Sequence, residues 1–171
     1  MLLPRPHVSY SSMSLWDASH ERFRKRYYEK GESFSTIQTR FGSKIHKEIE
    51  DNYGEFRGQK IQVGDCPEYE VRVFIDGVPV LAKIDSFFSD TNFFKDFKTG
   101  HADKNGKLPW DDVKVRKLKQ LPFYAVIIDE HKGLDPEENS YCALDWLMRE
   151  WIVKMANEIS EDYEKYLNNK F

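Results

Sequence analysis

Residues 69–100 read YEVRVFIDGVPVLAKIDSFFSDTNFFKDFKTG, and the period of two in this stretch decides the fold. Tyr69, Val71, Val73 and Ile75 alternate with Glu70, Arg72 and Phe74. That is the pattern of a strand with one face buried, because successive side chains of a strand point to opposite sides. Asp76-Gly77 follows as a two-residue hairpin signal, since such a turn needs backbone angles that Gly and Asp tolerate. Val78 to Asp85 is then expected to return antiparallel. Ser89, Asp90, Thr91 and Asn92 make a second turn. Phe93 to Lys98 reads as a third strand, stopped by Thr99-Gly100. The whole is a three-stranded meander.

Upstream, Ser14 to Lys30 reads as a helix, with Ser14 as N-cap and Gly31 as stop. Trp16, Phe23 and Tyr27 supply its apolar stripe. A second helix is expected from about Ser35 into Glu50, because Phe34, Ile37, Phe41, Ile45 and Ile49 recur every three or four residues. Gly42 lies inside it and costs about 1 kcal/mol relative to Ala, which points to close packing or close ligand approach.

Downstream, His101 to Pro109 is loop-like, with Lys104-Asn105-Gly106 as its turn. A helix should follow from Trp110 or Asp111. Pro122 interrupts it, so either the helix kinks near Leu118 or a new one begins around Pro122. Tyr141 to Leu167 carries Leu144, Leu147, Trp151, Met155, Ile159 and Tyr163 at helical spacing and reads as one long helix; Tyr141 to Met148 could instead be a strand.

Composition bounds the function. The chain has 171 residues, 40% hydrophobic, 32% charged and 15% aromatic, which suits one globular domain over residues 1–171 with a real core. A net charge of -3 gives no global sign of nucleic-acid binding, so any such role needs local basic patches. Candidates are Arg22, Arg24, Lys25, Arg26, Lys30, Arg40, Lys44 and Lys47, and then Lys114, Arg116, Lys117 and Lys119; the plain alternative is a solvated helix face. Cys66 and Cys142 make neither a disulfide framework nor a metal-thiolate motif. With no signal-peptide pattern and no membrane-length apolar run, an intracellular, cytoplasmic setting is expected.

The chemistry centres on Asp85 and on Asp96-Phe97-Lys98. In a strand Asp96 and Lys98 project to one face, and Phe97 points to the opposite, buried side. The short turn can bring the Asp85 carboxylate beside that of Asp96. Two carboxylates at one spot repel unless a cation lies between them or one is protonated. Hard oxygen ligands suit Mg²⁺ or Mn²⁺. Lys98 adds a positive charge that could act on an attacking water or on a phosphate. Asp-x-Lys also occurs as an exposed surface ion pair of little consequence. Here both carboxylates end apolar strands, Val80-Leu81-Ala82 before Asp85 and Phe93-Phe94 before Asp96.

These residues resemble the RecB-like branch of the PD-(D/E)XK nuclease superfamily. The likeness follows chain order: Ser9-Tyr10-Ser11-Ser12 before an aromatic, basic helix; Gly42-Ser43-Lys44-Ile45-His46 continuing to Glu50; Ile84-Asp85; Asp96-Phe97-Lys98-Thr99-Gly100; and Gln120-Leu121-Pro122-Phe123-Tyr124. The resemblance implies an α/β, restriction-endonuclease-like core with a mixed β-sheet flanked by α-helices. It implies a deoxyribonuclease, acting as an exonuclease or on ends and single strands, with DNA as partner. His46, Asp85, Asp96 and the Phe97 carbonyl would hold Mg²⁺ or Mn²⁺, Lys98 would act on the attacking water, and Asp85, Asp96 and Lys98 would form the catalytic centre. Gln120 and Tyr124 would position the strand, and Glu50 would support the site from behind.

Departures are visible. Lys83 stands where relatives often have Gly. Ser19-His20 stands where iron-sulfur relatives carry Cys-Pro, so with two cysteines no such cluster is expected. No phosphate-binding loop for a motor is present. The compact chain suits a phage or another mobile element in a bacterial cell. The main rival is a nucleic-acid-binding or adaptor protein on the same fold, without cleavage. A second is a protein unrelated to nucleic acid.

Overall fold

The computed structural model describes residues 1–29, 37–52, 55, 56, 58–98, 100, 104–107, 110, 111, 113, 114, 117–134 and 142–170. Lys30, Gly31, Phe34, Ser35, Thr99, His101, Pro109, Arg116 and Tyr141, used in the reading above, lie outside these, as do the side chains of Ile37, Glu50, Cys142 and Leu144. The architecture is mixed α/β, a mixed sheet flanked by helices.

The meander is present. Strand β4 is Cys66–Ile75 and β5 is Val78–Phe88. Between them Asp76 and Gly77 have φ of 48° and 81°, the two positive values a tight hairpin turn needs. The alternation holds: Val71 and Ile75 are buried, whereas Phe74 is 68% exposed. Strand β6, Phe93–Lys95, pairs antiparallel with β5 in the register Ser86↔Lys95, Phe87↔Phe94 and Phe88↔Phe93. It stops three residues short of the expected Lys98. The Asp85 carboxylate accepts the Phe97 N–H at 2.7 Å, so a side chain satisfies that donor and the chain leaves the ladder at Asp96. A two-residue strand, β1 (Val8–Ser9), lies parallel to β5 through Val8↔Val80 and Ser9↔Leu81 and makes the sheet mixed. The order is β1-β5-β4, with β6 also on β5. Strands β2 (Glu55–Phe56) and β3 (Gln59–Lys60) form a separate antiparallel pair.

The chain forms two compact units. The first comprises Met1–Ser33, Glu70–Ala82 and Lys119–Phe171. Its opening helix differs from expectation: α1 is Tyr10–Ala18 and α2 is His20–Tyr27. Ser9, not Ser14, caps the start, accepting the Ser12 N–H while the Ser12 hydroxyl accepts the Ser9 N–H. Ser19 is extended, caps α2 through the Arg22 N–H, and so splits the segment in two. Trp16 and Phe23 are buried as expected, joined by Tyr28.

Pro122 is accommodated because a new helix, α4 (Gln120–Lys132), begins two residues before it. In a first turn the N–H that proline lacks has no intrahelical acceptor. Of the helix expected from Trp110 or Asp111, Val113 and Lys114 are helical and Asp111 accepts the Lys114 N–H at 2.9 Å, while Asp112, Val115 and Arg116 lie outside the described residues. The last segment is one helix, α5 (Cys142–Lys170), so Cys142 to Met148 is not a strand. Its buried stripe runs Met148, Ile152, Met155 and Ile159. Met155 and Ile159 are buried as expected, whereas Leu147, expected inward, is exposed and its neighbour Met148 is buried instead.

The second unit comprises Phe34–Tyr69 and Lys83–Leu118. It holds α3 (Ile37–Asp51), β2, β3, β6 and the adjoining parts of β4 and β5. Among its described residues the buried apolar side chains are Ile49, Ile84 and Phe87, and Tyr69 stacks on Phe87 with ring centroids 4.5 Å apart. No described helix is long and apolar enough to cross a membrane.

Candidate functional site

Every residue of the proposed catalytic centre falls in the second unit. The strand period puts Lys83 and Asp85 on one side of β5 and the buried Ala82, Ile84 and Ser86 on the other. Helix α3 presents His46 three residues before the buried Ile49. Together His46, Asp85, Phe97, Glu68, Asp65 and Gly64 line a cavity of about 380 Å³, within the size range of small-ligand sites.

Asp85 is the hub. One oxygen, Oδ2, accepts the Phe97 N–H. The other, Oδ1, lies 3.8 Å from His46 Nδ1, too long for a hydrogen bond. Its side chain is 19% exposed. Burial pushes the Asp85 carboxyl above its ordinary value, the Phe97 N–H pulls it back, and the charges of Asp96 and Glu68 add to the rise. His46 Nε2 is buried without a hydrogen-bond partner among the described residues. Phe97 sits edge-on to the His46 ring at 6.1 Å. It lines the cavity with Asp85 and does not point to an opposite, buried face as a longer strand would require.

Asp96 and Lys98 do come to one side. Lys98 Nζ lies 2.5 Å from Asp96 Oδ2, with side chains 26% and 5% exposed. The Lys98 ammonium also stands 5.7 Å from the centre of the Trp110 ring. An imidazole and two carboxylates are the right donor types for Mn²⁺ or Mg²⁺. The His46 nitrogen that faces Asp85 at 3.8 Å is Nδ1, whereas the buried nitrogen without a partner among the described residues is Nε2, on the other side of the ring. Among the described residues, however, no three His, Cys, Asp or Glu side chains are gathered closely enough to hold an ion together.

Gln120 and Tyr124 lie in the first unit. They share a face of α4, where Gln120 Nε2 donates to the Tyr124 hydroxyl at 2.8 Å. Tyr124 is 5% exposed, so most of its ring belongs to the core. The side chain of Glu50 is outside the described set.

Three residues at the site escaped the sequence reading. Glu68 lines the cavity, has φ of 51°, and pairs with Lys83. A left-handed backbone is unusual for Glu and often marks a functional position. Pro67 beside it was a readable sign of an irregular strand start. Asp65 accepts the Ser89 N–H at 2.8 Å and the Ser89 hydroxyl, which hold its carboxyl below the ordinary value. Gly64 donates to the Ser86 hydroxyl at 2.6 Å, and a Cβ there would lie 1.9 Å from the Phe87 carbonyl oxygen. Only glycine permits that approach.

No family model, no curated protein and no solved structure matches the chain.

Proposed function

We propose that the chain is a divalent-metal-dependent deoxyribonuclease with a restriction-endonuclease-like core, acting as an exonuclease. The observation that carries this reading is the Asp85 carboxylate. One of its oxygens faces the His46 imidazole across 3.8 Å, and the other is tied to the backbone of the Asp96-Phe97-Lys98 segment. Three distant stretches of sequence thereby meet at one cavity.

His46, Asp85, Asp96 and the Phe97 carbonyl would hold Mg²⁺ or Mn²⁺. When bound, the ion supplies positive charge at a phosphodiester and acidifies water there. The chain's own groups do the rest. The Phe97 N–H fixes the orientation of Asp85. Burial and nearby negative charge make an ionised Asp85 costly alone, which favours a cation beside it. Lys98 brings an ammonium to orient the attacking water or to offset charge gathering on the phosphate. Gln120 and Tyr124 would position the strand, and Glu50 would support the ligands.

Electron paramagnetic resonance titration with Mn²⁺ tests the reading. Wild type should bind Mn²⁺, and Asp85→Asn and His46→Ala should each weaken binding at least tenfold. Equal affinity in all three would count against it. The pairing of Asp96 with Lys98 favours one alternative, a nucleic-acid-binding or adaptor protein in which Lys98 permanently neutralises Asp96. That protein would bind DNA without taking up Mn²⁺.

A further inference from the structure

Trp110 has no part in the assignment above. Its indole is 37% exposed, although a large aromatic ring ordinarily gains by burial. It stands 5.7 Å from the Lys98 ammonium, within the range of a cation–π contact. The contact sets a planar, partly open ring next to the side chain expected to act on the phosphate. Inside a duplex both faces of every base are covered by neighbouring pairs. A protein ring can therefore stack only on an unpaired or terminal base, and such stacking is largely indifferent to sequence.

We propose that Trp110 is a specificity-determining residue that stacks on an unpaired nucleobase beside the scissile phosphate and directs the site to single strands and frayed ends. This rests on the nuclease reading of the same site. The cation–π contact has a second consequence. It couples base and phosphate recognition, because the ring that holds the base also holds the Lys98 ammonium.

The test is fluorescence anisotropy in EDTA, using a labelled single-stranded thymidine 12-mer, the same oligomer with abasic sites throughout, and a hairpin duplex. Wild type should bind the thymidine oligomer roughly tenfold more tightly than Trp110→Ala does, the gain expected for one stacked base. Trp110→Phe should recover most of the loss. Wild type should bind the abasic oligomer roughly tenfold more weakly than the thymidine oligomer, a comparison that does not depend on how the variant folds. Equal affinity of wild type and Trp110→Ala for the thymidine oligomer, or equal affinity of wild type for thymidine and abasic oligomers, overturns the proposal. If wild type still cuts DNA with metal in that case, the nuclease reading stands and only the role of Trp110 falls. If wild type neither binds nor cuts DNA, both fall.

Discussion

Lys98 and Asp96 are two residues apart and 2.5 Å apart through space, and the carboxylate is almost wholly enclosed. A buried carboxylate deprived of its cation costs more than the pair was worth, because the remaining charge keeps its desolvation penalty. Lys98→Ala is therefore expected to lower stability by about 1–3 kcal/mol in metal-free buffer. Mn²⁺ should return much of that loss by taking the place of the ammonium; thermal melts with and without Mn²⁺ measure both. Asp96→Asn removes the charge itself and should melt closer to wild type. Both variants should lose cleavage by about 10²-fold or more, the usual effect of removing a group that meets charge developing in the transition state. A Lys98→Ala protein that melts like wild type and gains nothing from Mn²⁺ would show that the two side chains do not depend on each other.

At the scale of elements, Gly64 is the clearest case of backbone control. Its main chain lies against Phe87 on the strand that carries Asp85. Gly64→Ala forces backbone apart and is expected to cost about 1–3 kcal/mol or more, read as a shift in urea midpoint; an unchanged midpoint would show that the segment moves freely. Ser9→Ala removes the cap of α1 and should cost about 1 kcal/mol. The β4–β5 hairpin was legible because alternation and Asp76-Gly77 are local signals that agree. The end of β6 was not, because it depends on the Asp85 side chain capturing the backbone N–H of Phe97, twelve residues later. The split at Ser19 was missed because the aromatic stripe continues across it, and a cap inside a stripe leaves little trace. At the site, Asp85, Asp96 and Lys98 were legible as residue types at the ends of apolar runs. Glu68 was not: Pro67 marks an irregular strand start but does not announce a left-handed Glu after it.

Across the whole molecule a net charge of -3 hides a local arrangement of ion pairs. Several members of the sequence's basic runs are committed: Arg24 pairs with Asp162, Lys25 with Glu21, and Lys119 with Asp17 at 3.5 Å. The Arg24 guanidinium holds the Asp162 carboxyl below its ordinary 3.8, with the Tyr28 hydroxyl donating to the same group at 3.0 Å. A lowered folded value stabilises the protein fully above the unfolded value and is lost as pH falls through the folded one. Wild type should therefore lose stability below about pH 4 more steeply than Asp162→Asn, which should be about 1 kcal/mol less stable at neutral pH; acid titrations followed by circular dichroism compare the two slopes. The central claim concerns the other unit, and one assay tests it most directly. End-labelled single- and double-stranded linear DNA and closed circular DNA are incubated with Mg²⁺, with Mn²⁺ and with EDTA, wild type beside Lys98→Ala. Expected is cutting of the linear substrates that needs the metal, spares the circle and disappears in the variant. Linear DNA left intact by wild type under both metals, or cut equally by Lys98→Ala, would contradict the assignment.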